Sequence, residues 1–359
     1  MDINHGWLFF KDKWEWPSLS IYSGAGNWKE YKRMIISPDS QAILLLCSHI
    51  GLLSNSEYSS LTLKEWNPLA KKLQSISMRP GDLIGVAPKE IQSQLGINLI
   101  EAERYYHLLQ RSGSLAIELE RLESLGIHVL TRADQEYPVR YRQRLKETAP
   151  AVLFYAGEKA LLGQPGIAVV GSRHLDEAGK ACAEFVGNSC GLSGLILYSG
   201  GAKGVDTISM NAALTSRGTA VGILADSLEK SIRNPENRAA ISRGDLCLVT
   251  PYSPSAPFSV GTAMGRNKLI YTLADYAIVV ASDIEKGGTW AGATEALKSK
   301  WLPIFVLDHP NMPEGNKLLI QKGALPFPHP FPEHPLKLKT WLEEQSAKIK
   351  PDPQQPSLF

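Results

Sequence analysis

LILYSGGAKGVDTISMNAALTSRGTAVGILA, residues 195–225, decides how this chain is read. It opens on an apolar run, LILYSG, and turns through glycines. It continues into DTISMNAALTSRG, with apolar residues at helical spacing, and closes on a second apolar run, TAVGILA. A strand buried on both faces cannot alternate polar and apolar residues, so near-continuous apolar strands joined by a helix are the repeating unit of a parallel sheet. Outward from this unit the same run recurs: GIAVVGS before it, and LCLVTPY, YAIVVAS and PIFVLD after it. Helical stretches such as EAGKACAEFVGNSCG separate most of them. With right-handed crossovers the pattern predicts an α/β fold: an extended, Rossmann-like, doubly wound and mainly parallel sheet, preceded by a small all-helical domain.

The rest of the chain divides by composition. Residues 1–30 are aromatic and irregular, and residues 31–125 read as the helical domain. SPDSQAILLLCSHIGLL opens on a capping-type serine and aspartate, while IEAERYYHLLQRSG and LAIELERLESLG end on glycine. PGDLIGVAPKEIQSQLGI between them reads as a turn and a short helix, of the kind that touches a DNA backbone or packs a partner. Residues 126–322 form the sheet domain, with 126–160 as a connector that holds a strand, a short basic helix (YRQRL) and another strand. A proline-rich segment, LPFPHPFPEHP, and a helix occupy 323–348, and PDPQQPSLF falls in a flexible tail, 349–359.

Composition narrows the function. The chain has 359 residues, 43% hydrophobic and 21% charged, with a net charge of +2. That is an ordinary globular balance, and any basic site must be local. The four cysteines form no C-x-x-C pair, which fits reduced thiols in a cytoplasmic protein and gives no zinc motif. The N-terminus lacks the basic flank and apolar core of a signal peptide, and the longest apolar stretch is too short to span a bilayer.

In open α/β sheets, ligands bind outside the carboxyl ends of the strands. The residues after each apolar run are therefore the candidate site. They are Gly171-Ser172-Arg173, Ser199-Gly200-Gly201-Ala202-Lys203-Gly204, Ala225-Asp226-Ser227, the loop TPYSPSAPFSVGTAMGRNK with Arg266, Asn267 and Lys268, and Gly287-Gly288-Thr289. Helix starts offer unpaired N–H groups and partial positive charge, and Arg173, Lys203, Arg266 and Lys268 add full charges. The set suits an anion, most naturally phosphate. Lys203 is not a P-loop lysine, because Gly204 follows it instead of preceding it. Asp206 either stabilises the start of the next helix or orients Lys203. Tyr252, Phe258 and Trp290 lie in or near these loops and offer either stacking faces or buried packing. No histidine lies in the glycine loops, His174 reads as solvent-exposed, and no serine sits in a G-x-S-x-G elbow. No catalytic residue, metal or cofactor is expected.

The series GSR, SGGAKGVD, a proline-rich loop leading to GRNKLI, and GGTWAGATEAL resembles the DprA/Smf DNA-processing family. The resemblance covers roughly residues 130–325, including DQEYPVRYRQRL and PAVLFYAG. It implies a dimer that binds single-stranded DNA without catalysis, protects incoming strands after DNA uptake in natural transformation, and loads a RecA-type recombinase. It carries a basic pocket onto Arg173, Lys203, Arg266 and Lys268. Glycine-loop positions fall on Gly171, Ser172, Ser199, Gly200, Gly204 and Asp206, and the helix-start loop on Gly288 and Thr289. Arg266-Asn267-Lys268 stands where the family reads R-N-R, Thr250-Pro251 where it commonly reads Ser-Glu, and Gly287-Gly288-Thr289 where it reads S-G-S; these departures mark a divergent branch.

Two other readings stay open. GGTWAGATE is similar to the P-G-G-x-G-T-x-x-E loop of nucleotide phosphoribohydrolases, but the stretch from Gly288 to Glu295 is one step too long and lacks the G-T pair. A nucleotide-sensing module, for instance in phage defence, would use the same phosphate edge. The terminal residues Gln355, Ser357, Leu358 and Phe359 resemble the short peptide with which many bacterial proteins bind the DNA polymerase sliding clamp; the bland alternative is a disordered end.

Overall fold

The computed structural model describes residues 36–52, 56–285 and 287–348. The irregular segment 1–30 and the tail 349–359 lie outside the described residues, as does the clamp-type peptide within that tail.

Among the described residues the first elements are helices α1 (Pro38–Cys47), α2 (Leu63–Ser75), α3 (Pro88–Leu95), α4 (Leu99–Leu109) and α5 (Ser112–Ser124). α1 is apolar almost all round, and Ala42, Leu44, Leu45 and Leu46 are fully buried. Such a helix must sit inside its neighbours, and α1 contacts α4, α5 and the first two strands. Ser40 donates to Asp134 at 2.5 Å, so the tie from helices to sheet is polar as well.

Among the described residues nine strands make one sheet: β1 (His128–Thr131), β2 (Val152–Gly157), β3 (Gly166–Val170), β4 (Ile196–Ser199), β5 (Thr219–Ile223), β6 (Leu246–Thr250), β7 (Tyr276–Val279), β8 (Ile304–Asp308) and β9 (Leu325–Pro328). Their order is β1-β2-β6-β5-β4-β3-β7-β8-β9. β1 and β2 pair antiparallel with each other and β2 with β6; every other pairing is parallel. The six apolar runs are β3 to β8. β9 passes through the proline-rich stretch at the sheet's edge, where Pro326 and Pro328 have no outer neighbour to which an N–H would be owed.

The connecting helices are α6 (Val139–Leu145), α7 (Glu177–Ser193), α8 (Val205–Thr215), α9 (Leu228–Ser231), α10 (Pro235–Arg243), α11 (Val260–Leu273), α12 (Gly287–Ser299) and α13 (Glu314–Gln321); α14 (Leu338–Ala347) closes the fold. From β3 to β6 the chain steps one way across the sheet. α11 then carries it back to β7, on the other side of β3. That reversal is the switch point where doubly wound sheets bind ligands. Side chains alternate along each strand, and Ala168, Val170, Ile196, Tyr198, Val221 and Ile223 share a core with Leu269, Ile270 and Tyr271 of α11. α7 and α8 pack together against β3 and β4. Trp341 of α14 packs on Phe305, Phe327 and Phe331 and covers the β8–β9 edge.

The arginines of the short basic helix α6 are taken up by structure. Arg144 donates to the carbonyls of Thr272 at 3.2 Å and Ala274 at 2.6 Å. Arg140 donates to the Leu273 carbonyl and pairs with Asp275 at 2.7 Å. Helix carbonyls at a C-terminus have no partner within the helix and carry partial negative charge. Two guanidinium groups supply both needs for α11 and fix its axis across the sheet.

Candidate functional site

A cleft of about 470 Å³ opens at the switch point. Its walls come from the loop after β3, the start of α8, one face of α11, the segment after β7 and the start of α12.

Glycines allow these elements to approach. A Cβ on Gly171 would lie 2.4 Å from Val205 Cγ2. Gly204 has φ +90° and its Cβ would meet the Ser172 carbonyl oxygen at 2.6 Å. Only glycine combines that backbone with that space. The loops after β3 and β4 are thereby pressed together, and Ser172 N–H donates to the Ala281 carbonyl after β7 at 2.9 Å.

α11 presents Ala263, Arg266, Asn267, Ile270 and Tyr271 to the cleft, the three-and-four spacing of one helix face. Arg266 is 5% exposed, and its guanidinium lies against Gly200, where a Cβ would fall 1.5 Å from Nη1. Its Nε and Nη1 are buried without a hydrogen-bond partner among the described residues. Tyr271 is 1% exposed and its hydroxyl is likewise unpartnered. Asn267 rests on Gly288, at the start of α12.

Asp206 is also buried in the cleft wall. Its Oδ2 accepts from the Gly200 N–H at 3.1 Å and the Ala202 N–H at 3.3 Å, so it holds the glycine loop from inside. Burial pushes its carboxyl pKa up, against the pull of Arg266 and those amides. Burial pulls the Arg266 guanidinium down, and Asp206 opposes the shift. Each group thus carries an incompletely compensated desolvation penalty. At the mouth, Arg173 is exposed and stands over the Phe258 ring, 5.3 Å from its centroid. Phe258, Val260 and Met264 form an exposed apolar rim.

The family model for DNA recombination-mediator protein A matches residues 128–330. This chain belongs to that family. It is 32% identical over 227 residues to the DNA processing protein DprA of Streptococcus pneumoniae, covering 62% of this chain and 76% of the relative. It is 27% identical to Protein Smf of Escherichia coli, covering 66% of this chain and 63% of the relative. The X-ray structure of the Streptococcus pneumoniae DNA processing protein A superposes with a TM-score of 0.62 at 22% identity, over 82% of this chain and 95% of that one, and so shares its fold.

Within this DprA/Smf frame, the structure distributes the sequence-predicted residues as follows. Gly171, Ser172, Arg173, Asp206, Arg266, Asn267, Gly288 and Thr289 line the cleft, as does His174. Gly200 and Gly204 shape it from behind. Ser199 is turned inward, and its hydroxyl donates to the Val169 carbonyl at 2.7 Å. Lys203 is exposed on the loop tip, outside the cleft lining. Lys268 does not join Arg266: it borders a separate cavity with Cys47, Leu61, Tyr252 and Gly265. Residues two apart on a helix point to different sides. Of the three aromatic candidates only Phe258 reaches the cleft. The Tyr252 hydroxyl donates to the Thr262 carbonyl at 2.9 Å, and Trp290 packs partly buried on the core beneath Lys322. Tyr271, Ile270 and Ala263 escaped sequence reasoning; counting three and four positions from Arg266 and Asn267 along α11 would have found them.

Among the described residues no helix is long and apolar enough to cross a membrane.

Proposed function

We propose that this chain binds single-stranded DNA without catalysis, with a phosphate of the strand entering the cleft at the carboxyl edge of the sheet. The observation that carries the reading is the buried, unpartnered guanidinium of Arg266 in the cleft wall. A buried donor left without an acceptor costs about 1–3 kcal/mol, more when charged. A phosphate offers charged acceptors that would relieve that cost. Arg173 and Phe258 at the mouth provide a charge for the backbone and a face for a base, the two elements of single-strand recognition. Lys203, exposed beside the cleft, extends the positive track along the strand. The name of a relative, DNA processing protein, and that of the family, DNA recombination-mediator protein, agree with this chemistry.

A cytoplasmic location, a homodimer, handoff to a RecA-type recombinase, and sliding-clamp binding through Leu358 and Phe359 belong to the same proposal. So does a helical domain ending near residue 125. Removal of Leu358 and Phe359 is expected to abolish clamp binding, and unchanged binding overturns that part.

The principal test is fluorescence anisotropy with a labelled oligo-dT at two salt concentrations. Wild type is expected to bind and to weaken with salt as counterions are released, and Arg173→Ala/Lys203→Ala to lose affinity. A wild type that binds no single strand overturns the reading. The cleft volume of about 470 Å³ also falls in the range of small-molecule pockets. The second reading is therefore a nucleotide-sensing or nucleotide-hydrolysing module, favoured by a melting-temperature rise with mononucleotides in a protein that ignores DNA.

A further inference from the structure

The floor and the rim of the cleft differ in kind. The rim residues Phe258, Val260 and Met264 are 49%, 70% and 49% exposed. The floor holds Arg266 and Tyr271, 5% and 1% exposed. The polar atoms left unpartnered there are Arg266 Nε, Arg266 Nη1 and Tyr271 Oη. The guanidinium atoms are donors only, and the hydroxyl is free to donate. Two carboxylates also line the cleft: Asp283 is exposed, and Asp206 has its Oδ2 engaged by the Gly200 and Ala202 amides. The packing makes room for this tyrosine specifically: a Cβ on Gly292 of α12 would fall 2.8 Å from Tyr271 Cε2. Its ring is seated by a missing side chain on the neighbouring helix, and its hydroxyl stays unsatisfied.

We propose that the floor is a subsite for a phosphate monoester, so that the cleft receives the phosphorylated end of a strand in preference to an internal phosphodiester. This rests on the single-strand reading above and adds a substrate class to it. A monoester presents three terminal oxygens and close to two negative charges at neutral pH. It matches a floor whose unpartnered atoms can all donate more fully than a diester, which has two free oxygens and one charge. Geometry points the same way. An internal phosphate must keep both of its ester arms running out past the rim, whereas a terminal phosphate enters on one arm. Arg266 supplies the charge and Tyr271 a hydrogen bond that selects the monoester.

The test uses the full chain and four labelled oligo-dT probes of equal length: 5′-phosphorylated, 3′-phosphorylated, unphosphorylated at both ends, and covalently circular. One phosphorylated end is expected to bind roughly tenfold tighter than the unphosphorylated and circular strands, the scale of one hydrogen bond to a charged group. Which end gains sets the polarity of the strand. Tyr271→Phe keeps the ring against Gly292 and is expected to narrow the ratio of phosphorylated to unphosphorylated affinity toward one. Equal affinity for all four probes overturns the monoester subsite while leaving single-strand binding in place. A preference that survives Tyr271→Phe unchanged removes Tyr271 from it. Absence of binding to every probe overturns the single-strand reading itself.

Discussion

Gly200→Ala separates the position of the Arg266 charge from its presence. The added methyl would stand 1.5 Å from Nη1 and 2.4 Å from Cζ of Arg266. Gly200 lies outside the left-handed backbone region, so alanine fits the main chain and the clash falls on the far end of a flexible side chain. The guanidinium has to swing out of its seat. Overpacking of this kind costs folding about 1–3 kcal/mol, and net charge is unchanged. A hydrogen bond from guanidinium to phosphate is worth about 1.5–3 kcal/mol, so the loss of one weakens Kd roughly 10- to 150-fold. The assay is oligo-dT anisotropy over a salt series, beside a thermal melt that certifies folding. The salt slope is expected to fall by about one phosphate contact. The variant Gly200→Ala/Arg266→Ala is expected to bind no worse than Arg266→Ala, because both changes remove the same contact. A folded Gly200→Ala protein with affinity within about twofold of wild type refutes the argument that this guanidinium, in this place, holds the phosphate.

Gly204→Ala sets a Cβ 2.6 Å from a backbone oxygen on a residue with φ +90°. It is expected to destabilise by about 1–3 kcal/mol, read as a lower denaturant midpoint, and an unchanged midpoint contradicts it. Arg144→Ala leaves the Thr272 and Ala274 carbonyls at the end of α11 without their donor; a loss of about 1–3 kcal/mol is expected from urea melts. Arg104 beside Glu65 holds its carboxyl down at about 2 from 4.5, with the Thr62 amide helping. A depressed carboxyl adds stability above its unfolded pKa and loses it as pH falls through the folded one. Glu65→Gln is therefore expected to lower the melting temperature at pH 7 but not near pH 2; the side chain is 40% exposed, so solvent screening limits the effect to about 1 kcal/mol or less.

Apolar runs reveal parallel strands because each must be buried on both faces, and β3 to β8 were legible for that reason. β9 was not. Its prolines argue against a strand until one knows that it lies at an edge, and edge position follows from pairing far along the chain. The site was legible as a set of loops, because the carboxyl edge follows from topology alone. Its membership was less so. Lys268 stands two residues from Arg266 in sequence, yet helix geometry turns it to another cavity. Ser199 resembles a loop ligand, but its hydroxyl closes on Val169. Burial decided the rest. Nothing in the string of residues marks Arg266, Tyr271 and Asp206 as the buried polar groups of the cleft, or Gly292 as the space that admits the tyrosine.

The switch point also has a bearing on synthesis. Ile167 of β3 pairs with Leu197 on one side and with Tyr276 on the other. At about 5–20 residues per second, the second partner leaves the ribosome on the order of ten seconds after the first. During that interval β3 presents an unpaired apolar edge, the feature that invites association with other chains. Of the two seams that β3 makes, the one that closes second is the one on which the cleft is built. A nascent chain therefore gains its ligand site only when α11 and β7 have been added, and ligand cannot assist folding of the earlier half.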